Sequence, residues 1–228
     1  MNEPIPIIGA TGALGWGLAM RLARAGEPIV IGSRSAERAE AAAARVREVA
    51  PEAAVEGLLN DEAARRGPIV FLTVPFGAQS ENLDNLREVL EPEQILVDCT
   101  VPTAAAVGGK ATRTLGVWQG SAAQQAQEMV PDGVTVIATL HTVSAKTLSD
   151  PDAELGEDIL VCGDRKADKA RVARIIELVP GLRAVNAGPL EAARIVEQIT
   201  SLLISVNARY KTRAGLRVTG LGDDDHWG

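Results

Sequence analysis

The chain opens with an apolar run, Ile5 to Ile8, that breaks into Gly9-Ala10-Thr11-Gly12-Ala13-Leu14-Gly15 and continues at helical spacing from Trp16 to Ala25. A second apolar run, Pro28 to Ile31, ends at Gly32-Ser33-Arg34-Ser35-Ala36-Glu37-Arg38. Read by periodicity, this is a strand, a glycine turn, a helix and a second strand. Glycines at such a turn, here Gly9 and Gly12, let backbone approach a pyrophosphate. The free N–H groups and positive dipole end of the following helix meet its charge. Gly15 then allows the helix to pack closely on the strand. The spacing is G-x-x-G-x-x-G, not the commoner G-x-G-x-x-G, and a glycine turn without a ligand is the competing reading.

The end of the second strand discriminates between dinucleotides. A site for NAD usually places an Asp or Glu there to accept from the adenosine ribose, whereas this chain offers Ser33 and Arg34. A carboxylate would repel a ribose phosphate, and a guanidinium binds one with charge-assisted bonds. Arg38 follows one helical turn after Arg34, on the same face if a helix begins near Ser35. NADP is therefore preferred over NAD. The competing reading makes Arg34 and Arg38 solvated helix residues.

With 228 residues, 46% of them hydrophobic, and a formal charge of −7, the chain can bury a full core and has little attraction for nucleic acid or an anionic membrane. No apolar run reaches membrane-spanning length, and Met1 to Pro4 lacks the basic start of a secretory signal, so the expected location is the cytoplasm. Cys99 and Cys162 are too few and too far apart for a disulfide framework, and both read as small buried thiols. With His141 and His226 the only histidines, no metal site is expected.

The alternation continues with a helix from Ala36 to Val49 and strands at Ala54 to Gly57, Ile69 to Val74, Ile95 to Cys99 and Val134 to Leu140. A helix from Ser121 to Met129 precedes the last of these. The expected fold is α/β, a Rossmann-type doubly wound parallel sheet over residues 1–150. A smaller C-terminal α+β and helical domain, residues 151–228, is expected to close a cleft against it. In that unit Asp158 to Cys162 and Ala184 to Val185 read as strands around a helix from Lys166 to Leu178. A long helix follows from Pro189 or Leu190 to about Tyr210, with Pro189 suited to a first helical position. Apolar Ile195 to Val206 exceeds what one helix face needs, which points to a homodimer contact. The acidic end, Asp223 to Gly228, reads as a loosely ordered tail.

Several motifs remain: Leu72-Thr73-Val74-Pro75-Phe76, Leu140-His141-Thr142, Val161-Cys162-Gly163-Asp164 and Ala187-Gly188-Pro189-Leu190. Together with the glycine turn and Gly32-Ser33-Arg34, in this order and spacing, they resemble the F420-dependent NADP reductases, which pass hydride between NADP and the deazaflavin coenzyme F420. The resemblance runs from Ile7 to about Val218. It implies pyrophosphate contacts at Thr11, Gly12, Ala13 and Leu14, and adenosine phosphate contacts at Ser33, Arg34 and Arg38. Phe76, Val101 and Ala145 would lie along the nicotinamide half, with His141 and Thr200 where the two rings meet. The chain departs from the family pattern at Ser144, usually proline, and at Gln198, usually a small hydroxyl residue.

Hydride transfer asks little of side chains beyond stacking two rings in a site from which water is excluded. Val74, Phe76, Pro102 and Leu202 are candidates to line such a cleft, with His141 and Thr200 orienting the rings. Two bland readings stand beside these roles: a structural histidine at a strand end, and a threonine bonded to its own helix. Arg209, Lys211, Arg213 and Lys146 either guide an acidic coenzyme tail or cap and solvate a helix end. The alternatives for the whole chain are an NADPH-dependent reductase of a flavin, imine or carbonyl, and a non-enzymatic NADP-binding sensor.

Overall fold

The first apolar run becomes strand β1 (Ile5–Ile8), buried along its whole length, and the glycine turn leads into helix α1 (Ala13–Arg24). The structure is a computed structural model that describes residues 3–222 and residue 227. Of the end expected to form a loose tail, Asp223 to Gly228, residues 223–226 and 228 lie outside the described residues, and Trp227 packs against the buried apolar cluster. Along the chain follow β2 (Ile29–Ser33), α2 (Ala36–Val49), β3 (Val55–Leu59), α3 (Asn60–Ala64), β4 (Ile69–Leu72), α4 (Gln79–Leu86), β5 (Ile95–Asp98), α5 (Ala122–Met129) and β6 (Thr135–Ala138). After these come α6 (Ala145–Leu148), β7 (Glu157–Val161), α7 (Lys166–Glu177), β8 (Leu182–Asn186) and α8 (Ala193–Tyr210).

Strands β1 to β6 form one parallel sheet in the order β3-β2-β1-β4-β5-β6. Helices cover both faces, which is why β1 and β4 are continuous apolar runs and not alternating ones. This is the Rossmann-type doubly wound architecture, whose ligands collect where the strand order reverses beside β1. Among the described residues, no helix is long and apolar enough to cross a membrane.

Strands β7 and β8 pair in parallel and attach to the large sheet through one antiparallel bridge, with two 2.9 Å backbone bonds between Ala138 and Cys162. One buried apolar cluster runs from Ile5 through Ile137 to Ile159, Ile176 and Leu182. Cys99 and Cys162 are both free and buried.

Several element ends depart from the periodicity reading. The strand expected over Val134 to Leu140 stops at Ala138, and Leu140 takes a left-handed φ of 62° that turns the chain into the His141 loop. A buried leucine there stores backbone strain that its packing must hold. Pro189 is not the first residue of the long helix. It is extended (ψ 168°) and caps a single 3-10 turn before α8, while the Asp164 carboxylate accepts from the Leu190 N–H at 2.9 Å.

Arg21 is mostly buried in α1, and its guanidinium donates to the carbonyls of Leu148, Thr147, Asp150 and Ala153 at 2.8–3.2 Å. It pins α6 and the segment after it to α1, and Ala145, the first residue of α6, lines the same cavity as the glycine turn. All of these acceptors lie more than a hundred residues away in sequence, and nothing local signals them.

Candidate active site

The carboxyl ends of β1, β2, β4 and β5 open into a cavity of about 630 Å³. Gly9, Thr11, Gly12, Ala13 and Leu14 line it at the start of α1, and Ser33, Arg34 and Arg38 line it beyond β2. Across β1, Val74, Phe76, Val101 and Ala145 complete the wall. Residues from five separate loops thus share one space, in the order that the sheet imposes.

Two of the glycines are demanded by the protein itself. Gly9 has a φ of 81°, and a Cβ on it would lie 2.6 Å from Val74 Cγ1. A Cβ on Gly15 would lie 2.3 Å from Thr73 Oγ1 and 2.7 Å from Ala10 Cα. Gly12 is different, since a Cβ there would meet only the Gly9 carbonyl, at 3.5 Å. It is the N-cap of α1 with no side-chain cap, and the first turn has no acidic residue. The free N–H groups at this helix end therefore face the cavity without a competing carboxylate, an arrangement that fits a diphosphate.

At the β2 end, Ser33 is buried and Arg34 is two-thirds exposed, with Nη1 3.5 Å from the Glu81 carboxylate. Ser35 caps α2 by accepting from the Arg38 N–H. Asn60 and Asn82 also line this region, joined by an Asn60 Nδ2 to Asn82 Oδ1 bond of 3.0 Å. Sequence periodicity misses both, because it ends the third strand at Gly57 and leaves Asn60 without a place at the sheet's carboxyl edge.

Residues 4–102 match the family described as NADP oxidoreductase, coenzyme F420-dependent. The F420-dependent NADP reductase of Methanothermobacter thermautotrophicus strain Delta H is 40% identical over 229 residues, covering 99% of this chain and 98% of that protein. The chain belongs to the F420-dependent NADP reductase family. A solved chain from Arthrobacter sp. FB24, provisionally described as an F420-dependent NADP-reductase, shares the fold at a TM-score of 0.75 and 24% identity, over 96% of this chain and all of that one. The 3-hydroxyisobutyrate dehydrogenase of Mycobacterium tuberculosis shares the fold at a TM-score of 0.63 and 16% identity, with 92% of this chain covering 62% of that one.

The remaining positions singled out by the family resemblance lie outside the cavity wall. His141 is 4% exposed, and neither ring nitrogen has a hydrogen-bond partner. Burial pushes its pKa down to about 4, so the imidazole is neutral at ordinary pH. Thr200 does not bond to its own helix; its hydroxyl donates to the His141 carbonyl at 2.8 Å. The structure therefore joins His141 and Thr200 to each other. Pro102 is buried away from the cavity, and Leu202 is 62% exposed on the outer side of α8, so neither lines the cleft as expected. Among the basic residues near the end of α8, Arg213 pairs with Asp150 at 3.9 Å, and Lys211 closes the helix in the left-handed conformation.

Proposed function

We propose that this chain transfers hydride between NADP(H) and the deazaflavin coenzyme F420. The observation that carries the reading is the single cavity in which the glycine turn, the Ser33, Arg34 and Arg38 group, and the apolar wall of Phe76, Val101 and Ala145 meet. The N–H groups at the start of α1 hold the diphosphate, with Gly12 leaving room for it. Ser33, Arg34 and Arg38 hold the ribose phosphate. Phe76 and Val101 provide an apolar surface for the nicotinamide and keep water from it. Bound together, NADP(H) and the deazaflavin would exchange the hydride directly, in either direction. The protein need only stack the two, with reacting carbons about 3–3.5 Å apart. Thr200 fixes the backbone that carries His141, and His141, which lies outside the cavity wall, would orient the acceptor ring through its two unpartnered ring nitrogens once that ring is bound.

Mixing the protein with NADPH and F420 and following deazaflavin absorbance tests this. NADPH should be oxidised with F420 and not with flavins, imines or carbonyls. Transfer to one of those acceptors instead would make the chain another reductase, and NADPH binding without transfer to any acceptor would make it a sensor.

The active species is a homodimer in the cytoplasm. Its two buried free thiols suit a reducing compartment. Ile195, Leu202 and Tyr210 are 62%, 62% and 73% exposed and form one stripe along α8, with Ile199 and Val206 half-buried between them. A second copy of the chain covers that stripe. Light scattering after gel filtration should give twice the chain mass for the wild type and the single-chain mass for Leu202→Glu. A wild-type monomer at micromolar concentration would remove the dimer from the reading.

A further inference from the structure

Two carboxylates lie fully inside the protein without a cation. Asp98, at the end of β5, is 0% exposed and Glu197, on α8, is 1% exposed. Among the described residues neither forms an ion pair. Burial pushes Asp98 up to about 6 and Glu197 up to about 8, against the pull of the N–H and O–H groups that bond them. Burying a carboxyl group is costly whether it is ionised without a cation or forced to keep its proton, and an apolar pair of similar volume would pack these elements at less expense.

Their bonds form one chain. Asp98 accepts from the Thr100 N–H at 2.8 Å and the Thr100 hydroxyl at 2.7 Å. The Gln79 amide, also 0% exposed, lies 2.6 Å from Asp98, 2.8 Å from the Thr100 hydroxyl and 3.0 Å from the Ala122 carbonyl. Glu197 then accepts from the N–H groups of Ala122 and Ala123, the first turn of α5, at 3.0 and 3.1 Å. One turn further along α8, the Thr200 hydroxyl is bonded to the His141 carbonyl.

The placement of these residues gives the chain its meaning. Gln79 follows the turn that carries Phe76, and Thr100 precedes Val101, so the Gln79–Asp98–Thr100 staple holds together the two loops of the nicotinamide wall. Through Ala122 and Glu197, that staple is tied to the helix that carries Thr200. Among the described residues, none of its hydrogen bonds involves Ser33, Arg34 or Arg38, and its one link to them is the exposed Glu81 on α4, 3.5 Å from Arg34. We propose that Asp98 and Glu197 are positioning residues: the buried Asp98–Gln79–Ala122–Glu197 chain holds the Phe76 and Val101 walls in register with α8, and acts on the nicotinamide half of the cavity alone.

This rests on the cavity holding NADP(H) but not on the identity of the acceptor, so it is tested by binding. The probes are NADPH, which fills both halves, and adenosine 2′,5′-bisphosphate, which fills only the phosphate half. Both are titrated by calorimetry into wild type, Asp98→Asn and Glu197→Gln. Each variant should weaken NADPH about tenfold while the bisphosphate stays within about twofold. Equal weakening of both ligands would mean general loosening of the fold and would overturn the proposal, as would no change in either. Thermal melts of the same samples give an independent check: a variant that loses NADPH affinity only in proportion to its unfolded fraction also counts against the positioning role. Failure of F420 turnover in the wild type would overturn the acceptor assignment and leave this comparison readable.

Discussion

Arg34→Ala should weaken NADPH binding by about 1–3 kcal/mol, roughly five- to 150-fold, and leave NADH nearly unchanged. The guanidinium is two-thirds exposed at the cavity rim, and its partner in the structure is Glu81 at 3.5 Å. An exposed pair of that length is worth little. A ribose phosphate, with more charge and three acceptor oxygens, would compete for the same guanidinium, with Ser33 and Arg38 lining the cavity beside it. The loss should shrink as salt is raised, because the site is open to solvent. Parallel titrations of NADPH and NADH, by nicotinamide fluorescence, check this. Equal losses for the two cofactors would take the phosphate role away from Arg34.

Gly12→Ala and Gly15→Val should separate the two duties of the glycine turn. At Gly15 the atoms that a side chain would strike are Thr73 Oγ1 at 2.3 Å and backbone Ala10 Cα at 2.7 Å, and the Thr73 hydroxyl is already spent on the Ile8 carbonyl at 2.8 Å. Neither can give way without moving α1 off β1 and β4. Valine at this position should destabilise the fold by about 3 kcal/mol and abolish NADPH binding. At Gly12 the protein leaves room, so alanine should fold like wild type, with a denaturant midpoint within error, while its methyl group occupies the approach to the diphosphate. NADPH affinity should then drop about tenfold or more. A Gly12→Ala protein that binds NADPH normally would move the diphosphate away from this turn.

Features that follow from neighbouring residues are legible in the sequence. Helix α2 begins and ends where expected, because Ser35 caps it and the apolar spacing runs unbroken to Val49. The glycine turn and Arg34 are likewise local signals, each set by its own strand and helix. Periodicity fails where backbone conformation depends on distant contacts, as at Leu140, whose left-handed turn is held by packing. Pro189 is another such position, since a carboxylate from Asp164 closes the turn that follows it.

Helix α8 shows the division most clearly. Its sequence from Ile195 to Val206 is apolar on more than one face, so helical periodicity cannot say which face turns inward. In the structure the inward face carries Val196, Glu197 and Ser201, at 5%, 1% and 6% exposure, and Ile195 and Leu202 point outward. The partners that decide this are Ala122 and Ala123, some seventy-five residues away in sequence. The sequence by itself determined the order of strands and helices, the glycine turn and the preference for a phosphorylated ribose, since those rest on steric and electrostatic effects within a few residues. Only the tertiary structure decided which polar side chains are buried, which loops they tie together and where α8 faces, because a hydrogen bond between distant segments leaves no periodic trace in either one.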